Sequence, residues 1–371
     1  MNRRSTDAVA LCARVGSDRG TWEPVDLPDA PGSGEVLCET IELGICGTDR
    51  DILASRAPWV APGTDRLVLG HECRARIVAV GDGVAESLVG TEVVPLVRRS
   101  LDPRVERPDL LPPGRYIERG IYRADGFGVR RWLDRPEHLL PIPVGIEAVA
   151  VFTEPQSIAE KGIHEAAAIH AGRAPERSYE RVPPRVLVTG QGPIAFAAVI
   201  AALARGWPTT MVGRDSPDTS RSRLAIDLGA DYHDWSRLPL PDGEFDESVE
   251  EVGFDLVLEA TGSDEAMVRA AGRMRALGVL AWLGCERTPE PRSLPWSALM
   301  RDAILRNHLF VGIVNSAQRD FRAAFRNLGW FLEQGIAPER LITHRLSIDR
   351  SLSHLHGRTG QAIKSIIEFD R

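Results

Sequence analysis

The feature that most constrains the fold is an apolar strand pattern that runs into a glycine-rich turn and then an alanine-rich helix. Residues 185–189 form the apolar run, and the pattern GxGxxA follows with Gly190, Gly192 and Ala195. The first glycine permits a tight turn, the second lets the backbone approach a pyrophosphate, and the small third residue lets helix and strand pack closely. Free N–H groups at the start of such a helix attract anions. This strand–turn–helix context predicts a dinucleotide-binding unit.

Strand patterns and helical segments continue to alternate after this motif. Apolar strand-like runs cover residues 209–212, 254–260 and 279–283, with helical stretches between them. Such alternation is typical of parallel βαβ units with helices on both faces of the sheet. We therefore predict an α/β protein with a doubly wound Rossmann domain at residues 184–315.

The first third of the chain has a different pattern. Short strand-like runs are bounded there by Gly, Pro and Asp, which predicts a β-rich domain. We assign this domain to residues 1–183 and expect residues 316–371, a helix plus strands, to complete it. Residues 100–119 are rich in Pro and Arg without periodicity, so they are predicted to form a long loop.

The end of the second Rossmann strand bears on cofactor choice. An NAD site usually has an acidic residue about 20 positions after the glycine motif, which binds the ribose 2′-hydroxyl. Gly213 occupies that place here, and Arg214 follows. A small residue beside a guanidinium suits a 2′-phosphate, so NADP is favoured over NAD. Asp215 lies one position beyond Arg214 and would restore an NAD site if the register shifted.

A second set of residues has the chemistry of a metal site. Cys46 is flanked by glycines, His71 and Glu72 follow another glycine, and Glu154 lies further along the chain. A thiolate, an imidazole and a carboxylate suit zinc, and three protein ligands leave a fourth position for water or substrate. The sequence therefore predicts an open, catalytic zinc site in a protein that also binds a nucleotide.

Composition excludes several other classes of protein. The net charge of −7 gives no reason to expect nucleic acid or an anionic membrane as a partner. No apolar run approaches the length of a membrane span, and no apolar segment follows the N-terminal arginines, so we predict a cytoplasmic enzyme. The five cysteines are scattered without a CxxC pair, which argues against a disulfide framework.

These motifs together resemble the zinc-containing medium-chain dehydrogenase/reductase superfamily, and within it the glucose dehydrogenase branch. The matching stretches, in the order of the family, are residues 44–51, 67–72, 125–127, 154–155, 160–161, 188–194, 255–262 and 312–315. The resemblance implies a GroES-like catalytic domain and a Rossmann domain that binds NAD(P).

The resemblance also implies roles for individual residues near the metal. Cys46 and His71 would be zinc ligands and Glu154 the third, while Glu72 would be a ligand in some states or a supporting carboxylate. Thr48 would hydrogen-bond the reacting hydroxyl and begin a proton relay.

Further residues match positions that bind substrate or nucleotide in the family. Glu118 and Asn315 would hydrogen-bond substrate hydroxyls, together with Thr48 and Glu154. The residues expected to contact the nucleotide are Gly190, Gly192, Pro193, Ile194, Gly213, Arg214, Thr261 and Asn315.

Two departures from the family pattern affect the prediction. Residues 98–108 contain none of the four closely spaced cysteines that often bind a structural zinc, so we expect one catalytic zinc only and a loop held by proline stiffness and packing. Val97 stands where sugar dehydrogenases of this type have an amide, which puts glucose itself in doubt. The expected substrate is therefore a secondary alcohol or ketone of a sugar or a cyclic polyol-like compound.

Two alternatives stay open from the sequence. One is a zinc-free reductase of activated double bonds from the same superfamily, although such enzymes lack the Cys46/His71 pair. The other is a catalytically silent nucleotide-binding protein. In each case we expect a homo-oligomer, either a dimer or a tetramer.

Overall fold

A computed structural model describes residues 8–238, 248–285, 293–357 and 360–369. The chain divides into two compact units. Unit 1 comprises residues 1–154 and 341–371, and unit 2 comprises residues 155–340.

The strands of the described residues are numbered in chain order. They are β1 (Val9–Arg14), β2 (Thr21–Pro24), β3 (Val36–Gly44), β4 (Arg66–Val68), β5 (Glu72–Val80), β6 (Glu92–Pro95), β7 (Arg98–Ser100), β8 (Tyr116–Arg119), β9 (Arg123–Ala124), β10 (Arg131–Asp134), β11 (Leu139–Pro141), β12 (Val186–Thr189), β13 (Thr209–Gly213), β14 (Asp231–Asp234), β15 (Phe254–Glu259), β16 (Met274–Trp282), β17 (Leu309–Gly312), β18 (Ile342–Leu346) and β19 (Lys364–Glu368).

The α-helices of the same residues are numbered in the same way. They are α1 (Gly47–Ser55), α2 (Thr153–Arg173), α3 (Pro193–Leu203), α4 (Ser220–Leu228), α5 (Val249–Val252), α6 (Asp264–Ala271), α7 (Trp296–Arg306), α8 (Gln318–Glu333) and α9 (Ile348–His356). Within the described ranges, none of these helices is both long enough and apolar enough to cross a lipid bilayer.

Unit 1 is the predicted β-rich domain. Its largest sheet has the order β11-β6-β5-β3-β19-β18, and β10 also pairs with β3. Smaller sheets have the orders β2-β1-β4 and β7-β8-β9. The core between these strands includes Leu11, Leu43, Phe127 and Ile367, all at most 2% exposed. Because β19 pairs antiparallel with β3, the C-terminal strands belong to this unit.

Unit 2 contains the predicted doubly wound sheet. Its strand order is β14-β13-β12-β15-β16-β17, and neighbouring strands are parallel. Every residue of β12 is buried, which explains its uninterrupted apolar pattern. Helix α3 begins at Pro193, where a missing N–H costs no helical hydrogen bond. The α/β class and the Rossmann-type half of the prediction are thus confirmed.

The boundaries between the units differ from the predicted 183/184 and 315/316. Residues after 154 belong to unit 2 because they pack on its sheet and helices. The Gln156 side chain donates to the carbonyl of Ala197 at 2.9 Å, and the Tyr179 hydroxyl donates to the carbonyl of Asp255 at 3.0 Å. Helix α8 likewise packs on α3. These contacts are long-range, so no change in composition marks them in the sequence.

Residues 98–119, which we call the lobe, are more regular than the predicted loop. The lobe contains β7, a short 3-10 helix at Pro108–Leu110, and β8. Arg98 donates to the carbonyl of Asp109 at 3.0 Å, and the Asp109 carboxylate accepts two hydrogen bonds from Arg107, both at 2.8 Å. Ion pairs and backbone hydrogen bonds therefore stabilise the lobe, beyond the proline stiffness that the sequence suggested.

Candidate metal centre and nucleotide site

One cluster of potential metal ligands lies in unit 1. The sulfur of Cys46, a ring nitrogen of His71 and a carboxylate oxygen of Glu72 all lie within 4.8 Å of one another. His71 and Glu72 are 3% and 1% exposed. The cluster forms because His71 and Glu72 stand at the start of β5, whose Glu72 pairs in register with Gly44 at the end of β3, two residues before Cys46.

Asp49 holds the first two of these ligands in place. One of its carboxylate oxygens accepts the backbone N–H of Cys46 at 2.9 Å, and the other lies 3.5 Å from Nδ1 of His71. Burial alone would lower the pKa of His71, but Asp49 and Cys46 outweigh it and keep this pKa well above its ordinary value. A carboxylate behind a ligating histidine is the arrangement that orients imidazoles on metals.

Glu72 faces a cation inside the protein. Its carboxylate forms a buried ion pair with Lys364 of β19, and the same ammonium donates to the carbonyl of Ile45 at 3.1 Å. Lys364 is 1% exposed. Lys364 thus neutralises Glu72 in this structure, and the part of Glu72 in binding a metal stays a prediction.

Glu154 is buried near this cluster but is not one of its three members. It is 7% exposed at the start of α2. Burial raises the pKa of Glu154 to about 7; His71 and Lys364 oppose the rise, whereas Glu72 and Glu118 add to it. Glu154 is thus electrostatically coupled to the cluster, and its role as third ligand stays a prediction.

The residues present fit a zinc ion by their chemistry. Thiolate, imidazole and carboxylate are the ligands that zinc takes in catalytic sites. The three donor atoms also lie within 4.8 Å of one another, close enough to share one ion.

Glu118 sits on β8, in the lobe of unit 1, and is 6% exposed. The Nε and Nη2 atoms of Arg98 contact its Oε1 atom at 3.0 and 2.9 Å. The guanidinium of Arg98 also lies 3.8 Å from the ring centre of Tyr116. The charge of Glu118 contributes to the raised pKa of Glu154, and a contact between Glu118 and substrate stays a prediction.

The two remaining substrate candidates lie in different units. Thr48 is half-buried at the second position of α1, two residues after Cys46. Asn315 is 7% exposed in unit 2, adopts a positive φ of 57°, and accepts the backbone N–H of Ser316 at 2.8 Å. Their contacts to substrate or nucleotide remain predictions.

The nucleotide residues of unit 2 surround the carboxyl ends of adjacent strands. Gly190 follows β12 with a φ of +100°, a backbone conformation that a side chain would strain. Gly192 caps α3, and Pro193 and Ile194 form its half-buried first turn. Ligands bind at this edge in open α/β sheets, and the helix start offers free N–H groups.

Thr261 lies on the next loop of the same edge. Its backbone N–H donates to the buried carboxylate of Glu259 at 2.8 Å, and its hydroxyl also donates to it. Thr189, at the end of β12, reaches the same carboxylate at 3.2 Å. Glu259 therefore ties the loop after β15 to the strand before the glycine motif.

Gly213 ends β13, and the space beside it is filled. A Cβ atom at this position would overlap the side chain of Gln191, the residue between the two motif glycines. The amide oxygen of Gln191 accepts the backbone N–H of Asp215 at 3.0 Å, and its nitrogen donates to Ser222 at 3.1 Å. An acidic residue of the NAD type at Gly213 would therefore require the Gln191 side chain to move and to give up these two hydrogen bonds. The side chain of Arg214 is exposed.

Several of these residues were missed by reasoning from the sequence. Asp49 could have been found, since it stands three residues after Cys46, where a side chain commonly caps a helix start. Lys364 is one of only two lysines in the chain, a weak signal. No sequence signal singled out Arg98 or Gln191. Arginines are abundant in this chain, and the glycine motif allows any residue type between its first two glycines.

A six-stranded parallel dinucleotide-binding sheet and a separate β-rich unit with a cysteine–histidine–glutamate cluster define a zinc-type alcohol dehydrogenase architecture. Comparisons with known families agree with this class. The family described as "Glucose dehydrogenase C-terminus" matches residues 147–369, and the "Alcohol dehydrogenase GroES-like domain" matches residues 32–111.

Individual relatives extend over almost the whole chain. It is 35% identical over 350 residues to glucose 1-dehydrogenase 1 of Caldivirga maquilingensis, covering 93% of this chain and 94% of the relative. It is also 35% identical over 323 residues to the glucose 1-dehydrogenase of Thermoproteus tenax, covering 86% and 88%. The chain belongs to the glucose dehydrogenase branch of the medium-chain dehydrogenase/reductase superfamily.

A solved structure shows the same architecture with ligands bound. Haloferax mediterranei glucose dehydrogenase in complex with NADP, Zn and gluconolactone is 27% identical to this chain. The similarity covers 98% of this chain and 99% of that one, with a TM-score of 0.81.

Proposed function

We propose that the protein is a zinc-dependent, NADP-preferring dehydrogenase that interconverts a secondary alcohol of a sugar or cyclic polyol with its ketone, or the anomeric hydroxyl of a sugar with the lactone. The observation that carries the proposal is the convergence of Cys46, His71 and Glu72 within 4.8 Å in a member of the glucose dehydrogenase branch. The related enzyme from Haloferax mediterranei, which holds NADP, Zn and gluconolactone, supports both cofactors and the sugar-like substrate.

The residues of unit 1 would divide the work as follows. Cys46, His71 and Glu154 would hold the metal, with Glu72 exchanging between the metal and Lys364. Zinc supplies, when bound, a Lewis acid that lowers the pKa of a substrate hydroxyl. Thr48 would accept a hydrogen bond from that hydroxyl and pass its proton outward.

Substrate and nucleotide would be positioned by other residues. Glu118, held through Oε1 by Arg98, would accept a hydrogen bond from a neighbouring substrate hydroxyl, and Asn315 would contribute an amide. Val97 is buried at 1% exposure and presents no polar group where an amide is expected. We therefore place cyclic polyols and substituted sugars alongside glucose as candidate substrates. Hydride transfer itself is chemistry of the nicotinamide.

The finer parts of the proposal are a single zinc per chain, a preference for NADP, a homo-oligomeric state and a cytoplasmic location. The first is supported by a lobe that forms through the contacts of Arg98 and Arg107. The second is supported by a glycine at position 213, where the Gln191 side chain fills the adjacent space, and by Arg214 beside it.

The decisive experiment combines metal analysis with a substrate screen on the purified protein. Sugars, inositols and cyclic polyols are tested with NADP and NAD, and zinc is quantified per chain. The variant Cys46→Ala should lose zinc and turnover while its nucleotide affinity stays nearly unchanged. Cys285→Ala, which removes an exposed thiol elsewhere, is the matched control and should keep its zinc.

Three outcomes would contradict the proposal. Tight nucleotide binding without zinc or turnover would indicate the silent nucleotide-binding protein. Reduction of activated double bonds without zinc would indicate the zinc-free reductase. Loss of nucleotide binding in Cys46→Ala would indicate a structural metal.

A further inference from the structure

Asp215 is an acidic residue next to the expected position of the ribose 2′ group, and its side chain is already engaged. Its two carboxylate oxygens accept hydrogen bonds from Nε and Nη2 of Arg221, at 2.8 and 2.9 Å. The side chains of Arg221 and Asp215 are 20% and 14% exposed, so this ion pair is largely shielded from solvent. Bidentate pairs of this kind are the strongest of the charge-assisted hydrogen bonds.

The backbone around Asp215 is fixed as well. Its N–H is bound by the side chain of Gln191 at 3.0 Å, and its carbonyl accepts the hydroxyl of Tyr232 at 2.7 Å. Thr219, which caps α4, also reaches its carboxylate, at 3.4 Å. Asp215 therefore cannot shift register to take the place of Gly213 without breaking several contacts. The alternative NAD arrangement raised by the sequence requires that shift.

Arg221 neutralises the negative charge of Asp215 at the end of β13, where the ribose 2′ group is expected. It is the second residue of α4, the helix that follows β13, and Gln191 of the glycine motif hydrogen-bonds Ser222 next to it. An unpaired carboxylate here would accept hydrogen bonds from ribose hydroxyls and would repel a 2′-phosphate. A paired one does neither, and it leaves the exposed guanidinium of Arg214 as the dominant charge.

We infer that Arg221 is a specificity-determining residue: by holding the Asp215 carboxylate, it allows the 2′-phosphate of NADP to bind at Arg214 and denies Asp215 to the ribose of NAD. This inference deepens the NADP preference proposed above and rests on it. In this arrangement Arg221 acts through Asp215, so it is a positioning residue, and its effect must disappear when Asp215 carries no charge.

The test measures the dissociation constants of NADPH and NADH by nucleotide fluorescence at low ionic strength, where charge effects are least screened. Four proteins are compared: wild type, Arg221→Ala, Arg221→Ala with Asp215→Asn, and Arg223→Ala. Arg223 is the matched control, because it lies on the same helix and pairs instead with the exposed Asp218 at 3.2 Å. Zinc content and thermal midpoint verify that each variant is folded.

Arg221→Ala should weaken NADPH by at least about tenfold through an unpaired negative charge close to the phosphate, with NADH unchanged or tighter. The double variant should regain most of the lost NADPH affinity, and Arg223→Ala should match wild type.

Three results would overturn the inference. An unchanged NADPH/NADH ratio in Arg221→Ala excludes any role for Arg221. Equal losses in the single and double variants would show that Arg221 contacts the phosphate without needing Asp215. A wild type that prefers NADH would overturn both this inference and the proposed NADP preference, whereas the first two results leave that preference intact.

Discussion

The lobe of unit 1 depends on Arg98, and its replacement by methionine should be one of the most damaging single changes in the protein. Arg98 makes two contacts of 2.9–3.0 Å to Glu118, donates to the carbonyl of Asp109 at 3.0 Å, and lies 3.8 Å from the ring centre of Tyr116. Both charged side chains are nearly inaccessible, at 5% and 6% exposure. Arg98→Met would remove both Arg98 contacts from the buried Glu118 carboxylate.

The magnitude follows from the burial of the pair. Breaking a buried ion pair by removing one partner costs about 3–5 kcal/mol, because the remaining charge is uncompensated. Adding Glu118→Gln should recover part of this loss, since a neutral amide needs no counter-charge. Arg104→Met is the matched control from the same lobe: its pair with Asp102 is exposed, at 87% and 36%, and should leave stability unchanged.

Urea denaturation followed by circular dichroism measures these differences as a shift of the midpoint at constant slope. The expected order of stability is wild type equal to Arg104→Met, then the double variant, then Arg98→Met. If Arg98→Met were as stable as Arg104→Met, the lobe would not depend on the buried pair. If the double variant were less stable than Arg98→Met, the charge of the buried Glu118 carboxylate would not be the cause of the lost stability.

Three further predictions concern other parts of the protein. Gly213→Asp should displace the Gln191 side chain and lower the free energy of unfolding by about 1–3 kcal/mol, as an overpacked substitution does. It should also weaken the binding of both nucleotides. Tight NADH binding by this variant would contradict the steric conflict with Gln191. Thr48→Ser should keep turnover, whereas turnover of Thr48→Ala should fall by about 10²–10⁴-fold, the usual contribution of a positioned proton-transfer group. The zinc content of both variants should be unchanged. Full activity in Thr48→Ala would show that Thr48 is not part of the proton relay. Burial raises the pKa of Asp134, but the paired Arg99 outweighs burial and holds this pKa below its ordinary value. The stability that this pair contributes is therefore fully present above about pH 4, the pKa of an Asp in the unfolded chain. It is lost as the pH falls through the lower pKa of Asp134 in the folded protein. The gap in unfolding free energy between wild type and Asp134→Asn should therefore close on acidification, and a gap independent of pH would refute the assignment.

The sequence was most informative where the structure of a segment depends only on residues close together in the chain. The glycine motif between an apolar strand and an alanine-rich helix predicted β12, the turn and α3, because tight turns, helix starts and buried strands are determined by neighbouring residues. The ligand types at Cys46, His71 and Glu72 were likewise visible, since metal chemistry depends on residue identity before it depends on geometry.

The tertiary structure decided which residues meet across long stretches of chain. It assigned α2 and α8 to unit 2, paired Lys364 with Glu72, and selected Arg98 and Arg221, from a chain rich in arginine, as the partners of Glu118 and Asp215. An ion pair depends on the distance between two side chains, and that distance is set by packing of elements far apart in sequence. Residue type and local periodicity therefore specified the chemistry and the class of fold, while only the folded chain determined how each charge is compensated.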